Sequence, residues 1–88
     1  MISKTHEEFW NCYNALPKAA QKLARDKFHL WQVDAFHSSL QFKELPKNVW
    51  SVRINQNYRA LGRRKDNLMV WFWIGTHAEY DQLLKQLS

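Results

Sequence analysis

The sequence predicts an α+β fold, and changes in its apolar period carry that prediction. Up to about Val33 the apolar residues recur at helical spacing; from Ser39 the period drops from about 3.6 to about 2, the spacing of strands. After the apolar run Leu68 to Ile74, the chain breaks at Gly75-Thr76-His77 and helical spacing returns. The architecture expected is an N-terminal α-helical hairpin packed on an antiparallel β-meander of three to four strands, closed by a C-terminal helix.

Each element follows from local chemistry. Thr5-His6-Glu7-Glu8 has capping-box spacing, with Thr5 as cap, and Phe9, Tyr13 and Leu16 follow on one helical face. Leu16-Pro17 breaks this helix, and a proline at a first helical position starts the next. There Ala20, Leu23, Ala24, Phe28 and Trp31 form the apolar stripe, with Lys18, Lys22, Arg25 and Lys27 mostly off it. Leu40-Gln41-Phe42-Lys43 and Trp50 to Ile54 alternate as strands do, and Tyr58 to Leu61 makes a third. Leu68 to Ile74 is apolar on both faces, as a doubly covered strand must be. Asn55-Gln56-Asn57 and Arg64 to Asn67 are turn-like connections. The last helix starts at His77, with Tyr80, Leu83, Leu84 and Leu87 inward.

A chain of 88 residues, 45% hydrophobic and with five tryptophans, is expected to fold as one domain over residues 1–88. Thirteen Lys and Arg against eight Asp and Glu leave a net charge of +5, which suits a polyanionic or acidic partner. The single Cys12 rules out an internal disulfide framework. No apolar signal segment opens the chain, and its longest apolar run falls far short of the roughly 20 residues of a membrane helix. A cytoplasmic protein with no membrane association is expected. No His, Cys, Asp or Glu cluster has metal-ligand spacing, so neither a metal nor another cofactor is expected.

The charges converge on one place. If Asn55-Gln56-Asn57 form the loop, Ile54 pairs with Tyr58 and Arg53 lies directly opposite Arg59. Directly opposed side chains stand about 5 Å apart, where like charges repel unless an anion sits between them. The fourth strand runs antiparallel to the third, so Gly75 returns beside Arg59 and delivers His77 to the same sheet edge. Thr76-His77-Ala78-Glu79 is a second capping-box pattern, and a helix N-terminus favours an anion. A phosphate-sized site floored by Arg53 and Arg59, with His77 at its rim, is the expectation. Taken singly, a strand-to-helix junction, a stripe tyrosine and two edge arginines have ordinary structural readings; their convergence is the argument.

The stretch LQFKELPKNVWSVRINQNYRALGRRKDNLMVWFWIGTHAEYDQLL resembles the RelE/ParE superfamily, the toxins of bacterial type II toxin–antitoxin modules. The resemblance rests on FKEL followed by WSVRI, on YRAL, and on the apolar strand ending in GTH, and covers about residues 9 to 87. GTH followed by an aromatic is more similar to the ribonuclease branch, notably the YafQ-like toxins. The resemblance implies a compact α+β domain that cleaves mRNA without a metal, usually on the ribosome, and is neutralised by an acidic antitoxin. It implies catalytic positions at Arg53, Arg59, His77 and Tyr80, with Lys43 where some members carry a glutamate base. It departs from the family at Met1-Ile2-Ser3, which leave room for only a stub of first strand.

Such cleavage needs a base for the ribose 2′-OH, cations for the phosphorane and an acid for the leaving 5′ oxygen. His77 fits acid or base, Arg53 and Arg59 fit the phosphate, and Tyr80 fits stacking on a base or orienting the phosphate. Lys43, Glu44 and His37 compete for the second proton transfer, while His6 and His29 read as helix-surface residues. Arg63, Arg64 and Lys65 join the exposed basic surface expected to meet RNA or the antitoxin. Two other readings remain open: a ParE-like toxin that inhibits DNA gyrase by binding, and a non-catalytic relative that only binds a partner.

Overall fold

A computed structural model describes residues 1–87. In chain order it comprises β1 (Ile2–Thr5), α1 (Glu7–Asn14), α2 (Lys18–Val33), a 3-10 turn at Ser38–Leu40, β2 (Lys43–Leu45), a second 3-10 turn at Pro46–Asn48, β3 (Val49–Arg53), β4 (Tyr58–Lys65), β5 (Leu68–Thr76) and α3 (His77–Leu87). One five-stranded sheet runs in the order β1-β5-β4-β3-β2. Only β1 is parallel to its neighbour; the other pairings are antiparallel.

The helical hairpin, the meander and the closing helix are as the periodicity predicts, but the sheet has five strands where three to four were expected. The first residues are a paired strand rather than a stub: Ile2 to Thr5 match Leu68 to Trp71 in register. Thr5 therefore ends a strand instead of capping α1. His6 takes the cap, its Nδ1 accepting from Glu8 N at 3.1 Å, while Thr5 Oγ1 accepts from Trp10 Nε1 at 2.8 Å. Pro17 stands at the N-cap of α2 rather than inside it, where its missing N–H costs nothing. Leu40 and Gln41 are not in a strand; the 3-10 turn and a left-handed Gln41 (φ 44) precede β2, which starts at Lys43.

The sheet separates two apolar clusters. On one side α1 and α2 cover Val52, Ile54, Ala60, Met69, Trp71 and Ile74, through Ala24, Trp31 and half-buried Phe9, Tyr13 and Phe28. Leu23, expected in that stripe, stays 38% exposed. On the other side α3 sets Tyr80, Leu83, Leu84 and Leu87 against Val49, Leu61, Phe72 and Trp73. A bulge lets β5 serve both sides. Leu61 pairs with Trp73 but Gly62 with Trp71, so Phe72 is the extra residue and alternation slips by one position. Gly62 is required there, since a Cβ would come within 2.9 Å of the Val70 carbonyl oxygen. Because of that slip Ile74 faces α1 and α2, and Gly75 beside Arg59 faces α3.

Trp31 is the pivot of the larger cluster. It is 2% exposed and packs edge-on to Phe42 and Trp71, with centroids at 5.8 and 5.3 Å. Its Nε1 is buried with no hydrogen-bond partner among the described residues. An apolar groove of about 280 Å³ opens beside it, between the helical hairpin and the sheet, with Lys4 and Arg25 among its walls.

Candidate functional site

The loop 55–57 sets the geometry of the site. Asn55 Oδ1 accepts from Asn57 N at 2.8 Å and from Tyr58 N at 3.0 Å, which folds the loop back on itself. Ile54 N then donates to Tyr58 O at 3.0 Å, and β3 and β4 pair so that Arg53 is directly opposite Arg59, on the face covered by α3. The Arg59 guanidinium donates to the carbonyl oxygens of Asn55 and Tyr58, so its position is held from its own hairpin. It lies 5.9 Å from the centroid of the Tyr80 ring, within cation–π range. Burial, and next the neighbouring Arg53 charge, press the Arg59 pKa below its ordinary value, with Tyr80 and Asp81 acting the other way. The arginine stays protonated near neutral pH.

The fourth and fifth strands bring the histidine. Tyr58 pairs with Thr76 and Arg59 with Gly75, and His77 N donates to Asn57 O at 2.7 Å. The capping box at this junction is complete. Glu79 N donates to Thr76 Oγ1 at 3.2 Å, and Glu79 Oε1 accepts from Thr76 N at 3.0 Å and from Thr76 Oγ1 at 2.9 Å. The start of α3 is thus fixed both internally and to the loop. The His77 imidazole stands edge-on to Tyr80, centroids 5.9 Å apart at 80°, and its Nδ1 is 3.3 Å from Asp81 Oδ2.

Arg53, Arg59, His77 and Tyr80 line one cleft of about 200 Å³. Lys43 lines it too: paired with Ser51 on the edge strand, it stands on the same sheet face as Arg53. Gln41, Ser51 and Leu84 complete the walls. Glu44 is opposite Trp50, on the other sheet face, and lines no part of the cleft. His37 also lies outside it, its Nδ1 accepting from Ser39 N at 3.2 Å in the 3-10 turn. Arg63, Arg64 and Lys65 sit at the far end of β4 and do not line the cleft. Arg63 donates to Lys47 O at 2.8 Å and covers Phe72; Arg64 lies 4.9 Å from the Trp50 ring centroid. Among the described residues no group of three or more His, Cys, Asp or Glu stands together as a metal-ligand set.

Ser51, Gln41 and Asp81 are cleft or rim residues that the sequence reasoning passed over. Ser51 is the buried polar residue of the core and is 2% exposed. Strand alternation from Arg53 would have marked it, and helical spacing of four from His77 would have marked Asp81. Gln41 had no such signal, because its placement depends on its positive φ.

Chemically the cleft offers two guanidinium groups, an ammonium, a phenol and an imidazole around a phosphate-sized space. Such a set has the chemistry to hold an oxyanion and to move a proton beside it.

Known structures share this architecture. The chain is similar to YafQ from E. coli strain BL21(DE3) (TM-score 0.70, 12% identity), covering 89% of this chain and 94% of that one. It is similar to a RelB–RelE antitoxin–toxin complex from Methanococcus jannaschii (TM-score 0.72, 12% identity, 91% and 96% covered). A YoeB/ParE toxin from Agrobacterium tumefaciens is a further neighbour (TM-score 0.66, 15% identity, 88% and 99% covered). At these identities the likeness is one of fold. No curated protein matches the chain at a significant level. A family model, the ParE-like toxin domain, matches residues 18–82, from the start of α2 into α3 and across every strand that lines the cleft. On that match, and with the fold in agreement, the chain belongs to the ParE-like toxin family.

Proposed function

We propose that the protein is the toxin of a type II toxin–antitoxin module and acts as a metal-independent endoribonuclease on mRNA, on the ribosome, so that translation stops. The observation that carries this reading is the meeting of Arg53, Arg59, His77, Tyr80 and Lys43 in one cleft. A like-charge pair, one member of which (Arg59) is held by main-chain carbonyls, is an arrangement that a bound phosphate would neutralise. His77 exchanges a proton with the substrate, either taking it from the ribose 2′-OH or giving it to the leaving 5′ oxygen. The O2′–P bond forms, the P–O5′ bond breaks, and the two arginines hold the charge that develops on the phosphorane oxygens. Lys43 is the partner for the second proton transfer, being the one of Lys43, Glu44 and His37 that lines the cleft. Tyr80 orients the phosphate. Arg63, Arg64 and Lys65, away from the chemistry, bind the RNA backbone.

The toxin domain takes in residues 1–88 and works in the cytoplasm; no described helix is long and apolar enough to cross a membrane. Its neutralising partner is an acidic antitoxin. The net charge of +5 supports this, as does the antitoxin–toxin pairing named for the Methanococcus jannaschii neighbour.

The ParE-like family match also favours a second reading, a toxin that inhibits DNA gyrase by binding alone. Induced expression in a bacterial host, wild type beside His77→Ala, with primer extension on a reporter mRNA, separates the two. Growth arrest with new mRNA 5′ ends that vanish in the variant is the expected result. Arrest without cleavage, unchanged in the variant, would establish the gyrase reading instead, and no arrest from either would leave a partner-binding relative.

A further inference from the structure

The His77 ring has a neighbour that the proposed reaction has not yet used. His77 and Asp81 are one helical turn apart on α3, and Nδ1 stands 3.3 Å from Asp81 Oδ2. The other acid of this turn is committed: Glu79 Oε1 already accepts from Thr76 N and Thr76 Oγ1. The helix start is anchored to Asn57 O and Tyr80 meets the imidazole edge-on, while the His77 and Asp81 side chains are each about half exposed.

We propose that Asp81 is a positioning residue for His77: its carboxylate accepts the Nδ1–H and thereby directs the Nε2 lone pair to the cleft. A neutral imidazole carries one N–H, and free in water it favours the Nε2–H form. That form would set two lone pairs against each other across the His77–Asp81 contact. The carboxylate therefore selects the other tautomer and makes Nε2 the working nitrogen. It also stabilises the positive charge the ring gains whenever it takes a proton during turnover. Asp81 reaches Arg59 electrostatically as well, and so joins the histidine to the arginine pair. The inference rests on the ribonuclease reading for its catalytic consequence but not for the tautomer itself.

Two readouts on the full-length protein test it: histidine ¹⁵N–¹H multiple-bond correlation spectra at neutral pH, and cleavage kinetics on an RNA substrate. Wild type is expected to show the Nδ1–H tautomer at His77. Asp81→Leu is expected to revert to Nε2–H and lose about 10–100-fold in kcat, with KM little changed. Asp81→Asn, which removes the charge and whose amide N–H can donate to Nδ1, is expected to give up the enforced tautomer and to lose rate as well. An Nε2–H tautomer in the wild type, or a tautomer unmoved in Asp81→Leu, would overturn the proposal. If no form cleaves RNA while the tautomers move as stated, the ribonuclease reading falls and the role of Asp81 in orienting the ring stands.

Discussion

Arg53 and Arg59 show how one register decides the character of a site. Their side chains are opposed on a sheet face that α3 partly covers, so the free protein bears a repulsion of roughly 0.2–1 kcal/mol, typical of cross-strand like charges. Arg53→Gln should therefore stabilise the free protein by about that much, as read from a denaturant midpoint. Added inorganic phosphate should raise the wild-type melting temperature by binding the folded state and should raise the variant's less. Equal phosphate shifts in both proteins would remove the anion from the arginine pair. This register was legible in the sequence, because a three-residue loop between Ile54 and Tyr58 leaves Arg53 facing Arg59. Gln41 was not, since alternation through Leu40-Gln41-Phe42 describes a strand as well as it describes a turn. What decides between them is the burial of Leu40, at 0% exposure, which the 3-10 turn and the positive φ of Gln41 accommodate.

Among the elements, α3 matters most, and its start is fixed by very few bonds. Thr76→Ala removes the hydroxyl that accepts from Glu79 N, a change that costs about 1 kcal/mol at an N-cap. A domain of this size should then melt roughly 4–8 °C lower. Amide exchange should quicken in the first turn of α3 before the strands, because the loss is local. Uniform acceleration across the protein would mean that the cap supports the global fold. The sequence revealed this cap but missed the strand at the other end of the chain. Thr5-His6-Glu7-Glu8 satisfies the same pattern, yet here the threonine is drawn into β1 by pairing with Trp71. Nothing within the first ten residues reports a parallel partner that lies at Leu68 to Trp71. The bulge at Phe72 was equally hidden, for a strand apolar on both faces shows no break when its alternation slips.

The whole molecule is a basic body with two separate concentrations of positive charge. One is the cleft of Arg53, Arg59 and Lys43; the other is the Arg63 to Lys65 end of β4. RNA affinity should fall steeply with salt, since released counterions drive such binding. Charge removal at Arg63 or Lys65 should flatten the slope of log K against log salt by about one unit each, with the cleavage rate at saturation unchanged. A salt-insensitive affinity would contradict the electrostatic account of RNA binding.

The pairing of β1 with β5 has a consequence for how the protein is made. A chain synthesised from its N-terminus presents Ile2 to Thr5 first, but their partner segment begins only at Leu68. Until it emerges the sheet lacks β5, and β1 has no ladder to join. Closing so long a loop is a late event in folding. Arg53, Arg59 and Lys43 all precede His77 in the chain, but without β5 and α3 their strands lack the partners that pack on them, and an isolated hairpin is marginal. On the ribonuclease reading proposed above, activity is therefore expected only once the last strand and the helix after it are in place. A chain that breaks off before α3 is then expected to be inert rather than a weakened toxin, as induced expression of a chain ending at Gly75 would show.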